Sequence, residues 1–193
     1  MSAYNSYHLL FLDTETGGFR VENGLLEVAA ILTDITSKTV LSEWSTKILP
    51  EPDDILTDAA LKICGYDPEV WEKEGIPLLD AITKLREIVG DTPTFLVAHN
   101  APFDWQFIRE GMRRAEWDGK EILAYIDTLP MSCELQDLPR HRLVDMMTAF
   151  NLTADAYHEA LADTRSCRLI YQELRKRGIR PAITKIFHEE RTL

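Results

Sequence analysis

Apolar and polar positions follow two rhythms along the chain, and the changes between them mark the elements. Tyr7–Leu12, Leu25–Leu32 and Val40–Ile48 are short runs rich in leucine, aromatic and β-branched residues, and they predict three strands. Gly17-Gly18 and Asn23-Gly24 punctuate the first connection and Asp34–Lys38 the second, and links this short predict an antiparallel meander. After Pro50-Glu51-Pro52 the period becomes helical, over Thr57–Cys64 and again over Pro77–Val89, where Leu78, Leu79, Ile82, Leu85 and Ile88 recur on one side. A strand at Thr94–Ala98 follows, and Asn100 with Pro102 predicts the N-cap and first turn of a helix. A last strand, Ile122–Ile126, ends at Asp127, an N-cap candidate, and helical segments follow at 128–135, 142–150 and 160–178, the last closed by Gly178. Beyond Arg180-Pro181 the pattern does not choose between a short packed helix and a loose tail.

This order predicts an α/β fold with a mixed five-stranded sheet, strands 1–3 as a meander and strands 4–5 joined by crossovers, flanked by helices. There is no internal repeat and no linker, so residues 1–193 read as one domain, with a body over 7–178 and a short C-terminal segment over 181–193. No stretch approaches the roughly 20 apolar residues needed to span a bilayer. No positive charge precedes the short apolar run Leu9–Leu12, so no membrane association and a cytoplasmic location are expected. Cys64, Cys133 and Cys167 are far apart and form no CxxC, so they are expected to be reduced and mostly buried. The net charge of −11 is unevenly spread: residues 1–104 hold 7 Lys and Arg against 18 Asp and Glu, whereas the remainder is balanced. Within the balanced part, Arg165, Arg168, Arg175, Lys176, Arg177 and Arg180 face the single acid Glu173, a run that reads equally as a solvated helix face or as a contact for phosphate.

Four carboxylates fall where the pattern calls for apolar side chains. The first strand reads Leu9-Leu10-Phe11-Leu12-Asp13-Thr14-Glu15, apolar on both faces like a central strand. Alternation puts Asp13 and Glu15 on one face, their Cα atoms roughly 6.5–7 Å apart. Helical spacing puts Asp104 on the stripe of Phe107, Ile108 and Met112, and Asp163 on that of Cys167, Ile170 and Leu174. A buried ionised carboxylate is costly unless it is paired or bound to metal, and the basic residues of the last helix fall on outward positions. Each acid taken alone is more often a cap, a surface group or half of an ion pair; the four together reverse that and point to divalent cations. Oxygen-only ligation suits Mg²⁺ or Mn²⁺, and two such ions about 3.5–4 Å apart form the clamp used for in-line displacement at phosphorus. His158 precedes Asp163 by five residues, which on a helix would turn it away by about 140°, so to share the site it must sit in the preceding loop. There it reads either as a hydrogen-bonded loop residue or as a candidate general base for a water at the site.

Asp13-Thr14-Glu15-Thr16-Gly17, Ala98-His99-Asn100-Ala101-Pro102-Phe103-Asp104 and His158-Glu159-Ala160-Leu161-Ala162-Asp163 resemble, in order and spacing, the three exonuclease motifs of the DEDDh, or DnaQ-like, superfamily. The resemblance covers about residues 7–178 and implies a ribonuclease H-like fold. It implies stepwise 3′-to-5′ hydrolysis of single-stranded DNA or RNA with release of nucleoside 5′-monophosphates. Carried over by motif, Asp13, Glu15 and Asp163 hold the first metal with its attacking water, Asp13 and Asp104 the second, and His158 is the base. Ile63-Cys64-Gly65-Tyr66-Asp67 stands where many members carry a His-Gly-Ile-Thr-like turn and is nearer to ribonuclease T. Substrate contacts are expected from Gly17 and Gly18, whose backbone a terminal nucleotide can approach closely, and from Phe103 and Trp105 as stacking surfaces; an ordinary turn and core packing are the alternatives. The expected partners are single-stranded 3′ ends and a polymerase or repair protein. The competing readings are an inactive module that holds nucleic-acid ends and a polymerase-associated interaction subunit.

Overall fold

In a computed structural model of the chain, residues 7–153 and 159–186 are described. Six strands form one sheet in the order β3-β2-β1-β4-β5-β6: β1 (His8–Thr16), β2 (Leu25–Asp34), β3 (Val40–Lys47), β4 (Thr94–Ala98), β5 (Ile122–Asp127) and β6 (Ile183–Lys185). β2 runs antiparallel to both β1 and β3, β4 is parallel to β1 and β5, and β6 returns antiparallel along β5. The meander and crossovers are those the sequence predicts. The sheet has a sixth strand rather than five, because Ile183–Lys185 is too short to show a period of two and pairs only through Ala124–Ile126.

The helices are α1 (Asp58–Ile63), α2 (Pro68–Glu74), α3 (Leu78–Val89), α4 (Ala101–Arg114), α5 (Thr128–Ser132), α6 (Leu143–Ala149) and α7 (Ala160–Lys176). β1 is the central strand, and Leu9 through Leu12 are fully buried on both faces. Leu10, Leu12 and Leu96 meet α3 and α4 on one side; Leu9, Phe11 and Val97 meet α5, α6 and α7 on the other. Each such side chain contributes about 1.5–3 kcal/mol on burial, so β1 is the best-anchored element and its far end a rigid place to mount a site. α7 stops as expected, with Gly178 at φ 81 just beyond its cap. No helix among the described residues is long and apolar enough to cross a membrane.

Asn100 departs from its expected role. It precedes α4, but in the left-handed region (φ 76, ψ 49) and without a side-chain cap; its own N–H donates to the Asp127 carboxylate at 2.9 Å. Asp127 also accepts from the Leu129 N–H at 2.9 Å, capping α5 and tying the ends of β4 and β5 together. The three cysteines are free, with Cys64 and Cys167 buried and Cys133 exposed.

Candidate active site

β4 pairs with β1 only over His8–Phe11, so the second half of β1 runs on past this parallel neighbour. Asp13 and Glu15 lie in that extension, on the face covered by α7. One oxygen from each of Asp13, Glu15 and Asp163, in the first turn of α7, lie within 4.8 Å of one another. Asp104 stands outside this trio. It comes from the first turn of α4, is 3 % exposed, and accepts a hydrogen bond at 2.8 Å from Thr14, the residue between the two strand acids that faces the other way. Glu27 stands opposite Glu15 on β2, with Lys47 opposite Glu27 on β3.

The electrostatics are those of carboxylates crowded together. Burial, then the charges of Asp104, Asp163 and Glu15, push the Asp13 carboxyl well above its usual range. Burial, Asp163 and Glu27 raise Glu15 to about 7. Burial raises Asp104 to about 7 despite the Thr14 hydrogen bond, which favours its ionised form. The leading charges acting on these three groups are carboxylates, whereas Glu27, also raised by burial, is partly offset by Lys47. An all-oxygen donor set with protons held this tightly at neutral pH fits hard divalent cations, which displace those protons.

The loop after β1 is closed by packing. Gly17 and Gly18 are buried, and a Cβ at Gly17 would stand 2.1 Å from the Asn23 carbonyl oxygen and 2.5 Å from Leu56. At Gly18 it would stand 2.5 Å from the Asn23 side chain. The approach that these glycines permit is therefore to Asn23 and Leu56. Thr57 reinforces it, its N–H and hydroxyl both donating to the Gly17 carbonyl at 2.8 and 2.9 Å. Phe103 is half-buried, and Trp105, 9 % exposed, packs in the core. His158 lies outside the described residues.

Two contributors, Phe19 and Thr14, escaped the sequence pattern, and His99 adds hydrogen-bonding support. Phe19 is 86 % exposed beyond the two glycines, its ring edge-on to Phe103 at 6.4 Å and its carbonyl accepting from Gln106 at 3.3 Å. An aromatic immediately after a glycine pair that follows an acid-ended strand is a readable signal. The Thr14 to Asp104 bond spans 90 residues and has no local signal. His99, at the end of β4, bridges two distant segments: its Nε2–H donates to the His141 carbonyl at 2.8 Å, so in the neutral ring Nδ1 accepts from the Thr128 hydroxyl at 2.9 Å. Burial holds its pKa below the ordinary value, which favours that neutral ring.

The basic run of α7 is engaged within the chain. Arg165 pairs with Glu43, Arg168 donates to the Ser37 and Lys38 carbonyls, Arg175 donates to the Ile179 carbonyl, and Lys176 and Arg177 share Glu173. Arg175–Arg177 also lie about 18–21 Å along the helix from Asp163.

Comparison with known proteins agrees with this arrangement. The DNA polymerase III subunit epsilon of Treponema pallidum is 31% identical over 179 residues, covering 85% of this chain and 75% of that protein. The PolC-type DNA polymerase III of Halalkalibacterium halodurans is 26% identical over 174 residues, covering 85% of this chain but only 12% of the much longer polymerase. The fold superposes on E. coli Exonuclease I in complex with a dA16 oligonucleotide with a TM-score of 0.78 at 20% identity, covering 89% of this chain and 41% of that one. Residues 10–171 match the RNase_T exonuclease family, which takes in β1 with its two acids, α4 with Asp104 and α7 with Asp163, and the chain belongs to that family.

Proposed function

We propose that the chain is a divalent-metal-dependent 3′-to-5′ exonuclease that removes nucleoside 5′-monophosphates from single-stranded DNA or RNA. The observation that carries the reading is the convergence of Asp13, Glu15 and Asp163 within 4.8 Å, with Asp104 acting on Asp13 from the side and carboxylates as the leading charges on Asp13 and Glu15. Asp13, Glu15 and Asp163 would hold one ion and Asp13 with Asp104 a second; such a pair, Mg²⁺ or Mn²⁺, supplies charge neutralisation to the attacking and leaving oxygens of an in-line displacement. The chain's own groups do the rest. Thr14 fixes the orientation of Asp104, His158 accepts the proton of the attacking water, and Phe19 with Phe103 offers an aromatic face to the terminal base. Gly17 and Gly18 let the loop fold tightly enough to present Phe19 against Phe103, the neighbour of Asp104 in sequence. The polymerase III relatives make a replicative or repair partner, and hence a cytoplasmic setting, part of the same reading.

The experiment is release of labelled mononucleotide from a 3′-labelled single strand in Mg²⁺ or Mn²⁺, with EDTA as the control. Release that EDTA abolishes is expected. A strand that is bound but never shortened at any metal concentration would instead support the module that only holds ends.

A further inference from the structure

At the end of the molecule away from the carboxylates, a cavity of about 550 Å³ opens between the sheet, the turn joining β2 to β3, and the C-terminal half of α7. Leu9 lines it four residues, or about 13 Å of strand, before Asp13. Its size is that of pockets that enclose small organic ligands. The floor is apolar and partly aromatic, built from Leu9, Phe95, Ile126, Tyr171 and Ile183. The rim carries three cations, Lys38, Arg175 and Lys176, and among the described residues no acid lines it, although the chain's net charge is −11.

Two acids lie close in sequence to that rim, and both are already satisfied. Asp34 accepts from the Thr36 hydroxyl and from the Lys38 and Thr39 N–H groups; Glu173 is shared by Lys176 and Arg177. Arg175 is held in place by its bond to the Ile179 carbonyl at 2.7 Å, which leaves guanidinium donors for a ligand. The uncharged polar groups of the lining are engaged within the chain: Gln172 donates to the Ser37 carbonyl, Thr36 to Asp34, the Ser37 hydroxyl to the Thr36 carbonyl, and the Tyr171 hydroxyl meets the Arg175 side chain. A nucleobase, which needs partners around its edge, would find few. An apolar body with one charged end would meet both surfaces.

We propose that this cavity is a second ligand site, distinct from the carboxylate site, for an amphipathic organic anion: an aliphatic or aromatic body seated on Phe95, Tyr171 and Ile183 with a carboxylate, sulfonate or phosphate head at Lys38, Arg175 and Lys176.

The test uses the full chain and the fluorescent anion 8-anilinonaphthalene-1-sulfonate. Saturable binding of one dye per folded chain is expected, with a rise in melting temperature and weakening as salt is added. Lys38→Glu, on an exposed side chain, should weaken binding several-fold without changing the melting temperature of the free protein, and Lys38→Glu with Lys176→Glu should weaken it about tenfold or more, the second change also removing a partner of Glu173. The uncharged analogue N-phenyl-1-naphthylamine should bind at least about tenfold more weakly than the anion. Decanoate should displace the dye, and deoxyadenosine monophosphate at equal concentration should not. Absence of saturable binding, or equal affinity for the neutral dye and in the double variant, would overturn the site. Displacement by the nucleotide as effective as by decanoate would overturn the assignment of an apolar body.

Discussion

Thr14 lies between Asp13 and Glu15 in sequence yet faces the opposite layer, where its hydroxyl donates to Asp104. A hydrogen bond to a charged group is worth about 1.5–3 kcal/mol, so Thr14→Val, nearly isosteric, should raise the Mn²⁺ concentration for half-maximal activity at pH 7 by about tenfold or more. An unchanged metal titration would mean that Asp104 is oriented by something else. Phe19 behaves differently because it is 86 % exposed. Phe19→Ala should leave stability within about 0.5 kcal/mol of the wild type. It should raise KM for single strands about tenfold, in line with base–aromatic stacking of roughly 1–3 kcal/mol; steady-state kinetics on a short oligonucleotide would detect either outcome. The carboxylates themselves were legible, since an acid on an otherwise apolar strand or helix stripe violates the local pattern. Thr14 was not, because its partner is 90 residues away. Gly17 and Gly18 were legible as glycines that some group must approach, but which group depends on Asn23 and Leu56 folding back over them.

At the scale of elements, long periodic segments were readable and short ones less so. α3 and α7 lie within a residue or two of their predicted spans, and β1 carries on past its apolar run through Asp13 and Glu15, as the strand reading of those acids requires, to Thr16. Hydropathy stops at Leu12, but pairing of Asp13–Glu15 with Glu27–Ala29 continues the ladder. α2 went unread although Asp67 accepts from the Glu69 N–H and Pro68 opens the helix; seven residues with one buried side chain, Trp71, show little period. The basic run on α7 was legible as charge, but not as engaged charge, because Glu43 and the carbonyls of Ser37 and Lys38 come from the meander. Replacing Arg175, Lys176 and Arg177 with glutamine should therefore act on the helix end. Loss of cations from the last turn and of both Glu173 partners should cost about 0.5–2 kcal/mol in denaturant melts. The salt dependence of binding a four-nucleotide strand should not change. Were these side chains to touch the strand, removing each cation–phosphate pairing would flatten the log–log slope by about 0.7, and a slope that flattens would return this face to the substrate path.

The whole molecule pays for its site in the metal-free state. Carboxyls titrate near about 4 in an unfolded chain, whereas Glu15 and Asp104 titrate at about 7 in the fold and Asp13 is raised well above the usual range. Groups whose folded pKa is raised stabilise the fold fully at low pH, and that contribution is lost as pH rises through the folded values. In EDTA, the melting temperature should fall between pH 6.5 and 8. The window starts there because His99 works in the opposite sense: burial lowers its pKa, so its contribution is lost as pH falls below about 6.5, its unfolded value. Mn²⁺ should reverse the trend, since its ligands bind better once deprotonated. A flat profile in EDTA would mean that the carboxylates are not crowded.

The most direct measurement is a thermal melt of the wild type and Asp13→Asn, each in EDTA and in Mn²⁺, at pH 8. Asp13 stands among Glu15, Asp104 and Asp163, so removing its charge removes repulsion from the folded state. In EDTA the variant should melt at or above the wild-type temperature. Mn²⁺ should raise the wild type strongly, by mass action worth about 2.7 kcal/mol at a hundredfold excess over Kd, and the variant much less. A variant destabilised in EDTA beside a wild type indifferent to Mn²⁺ would show that these carboxylates serve the fold and hold no metal.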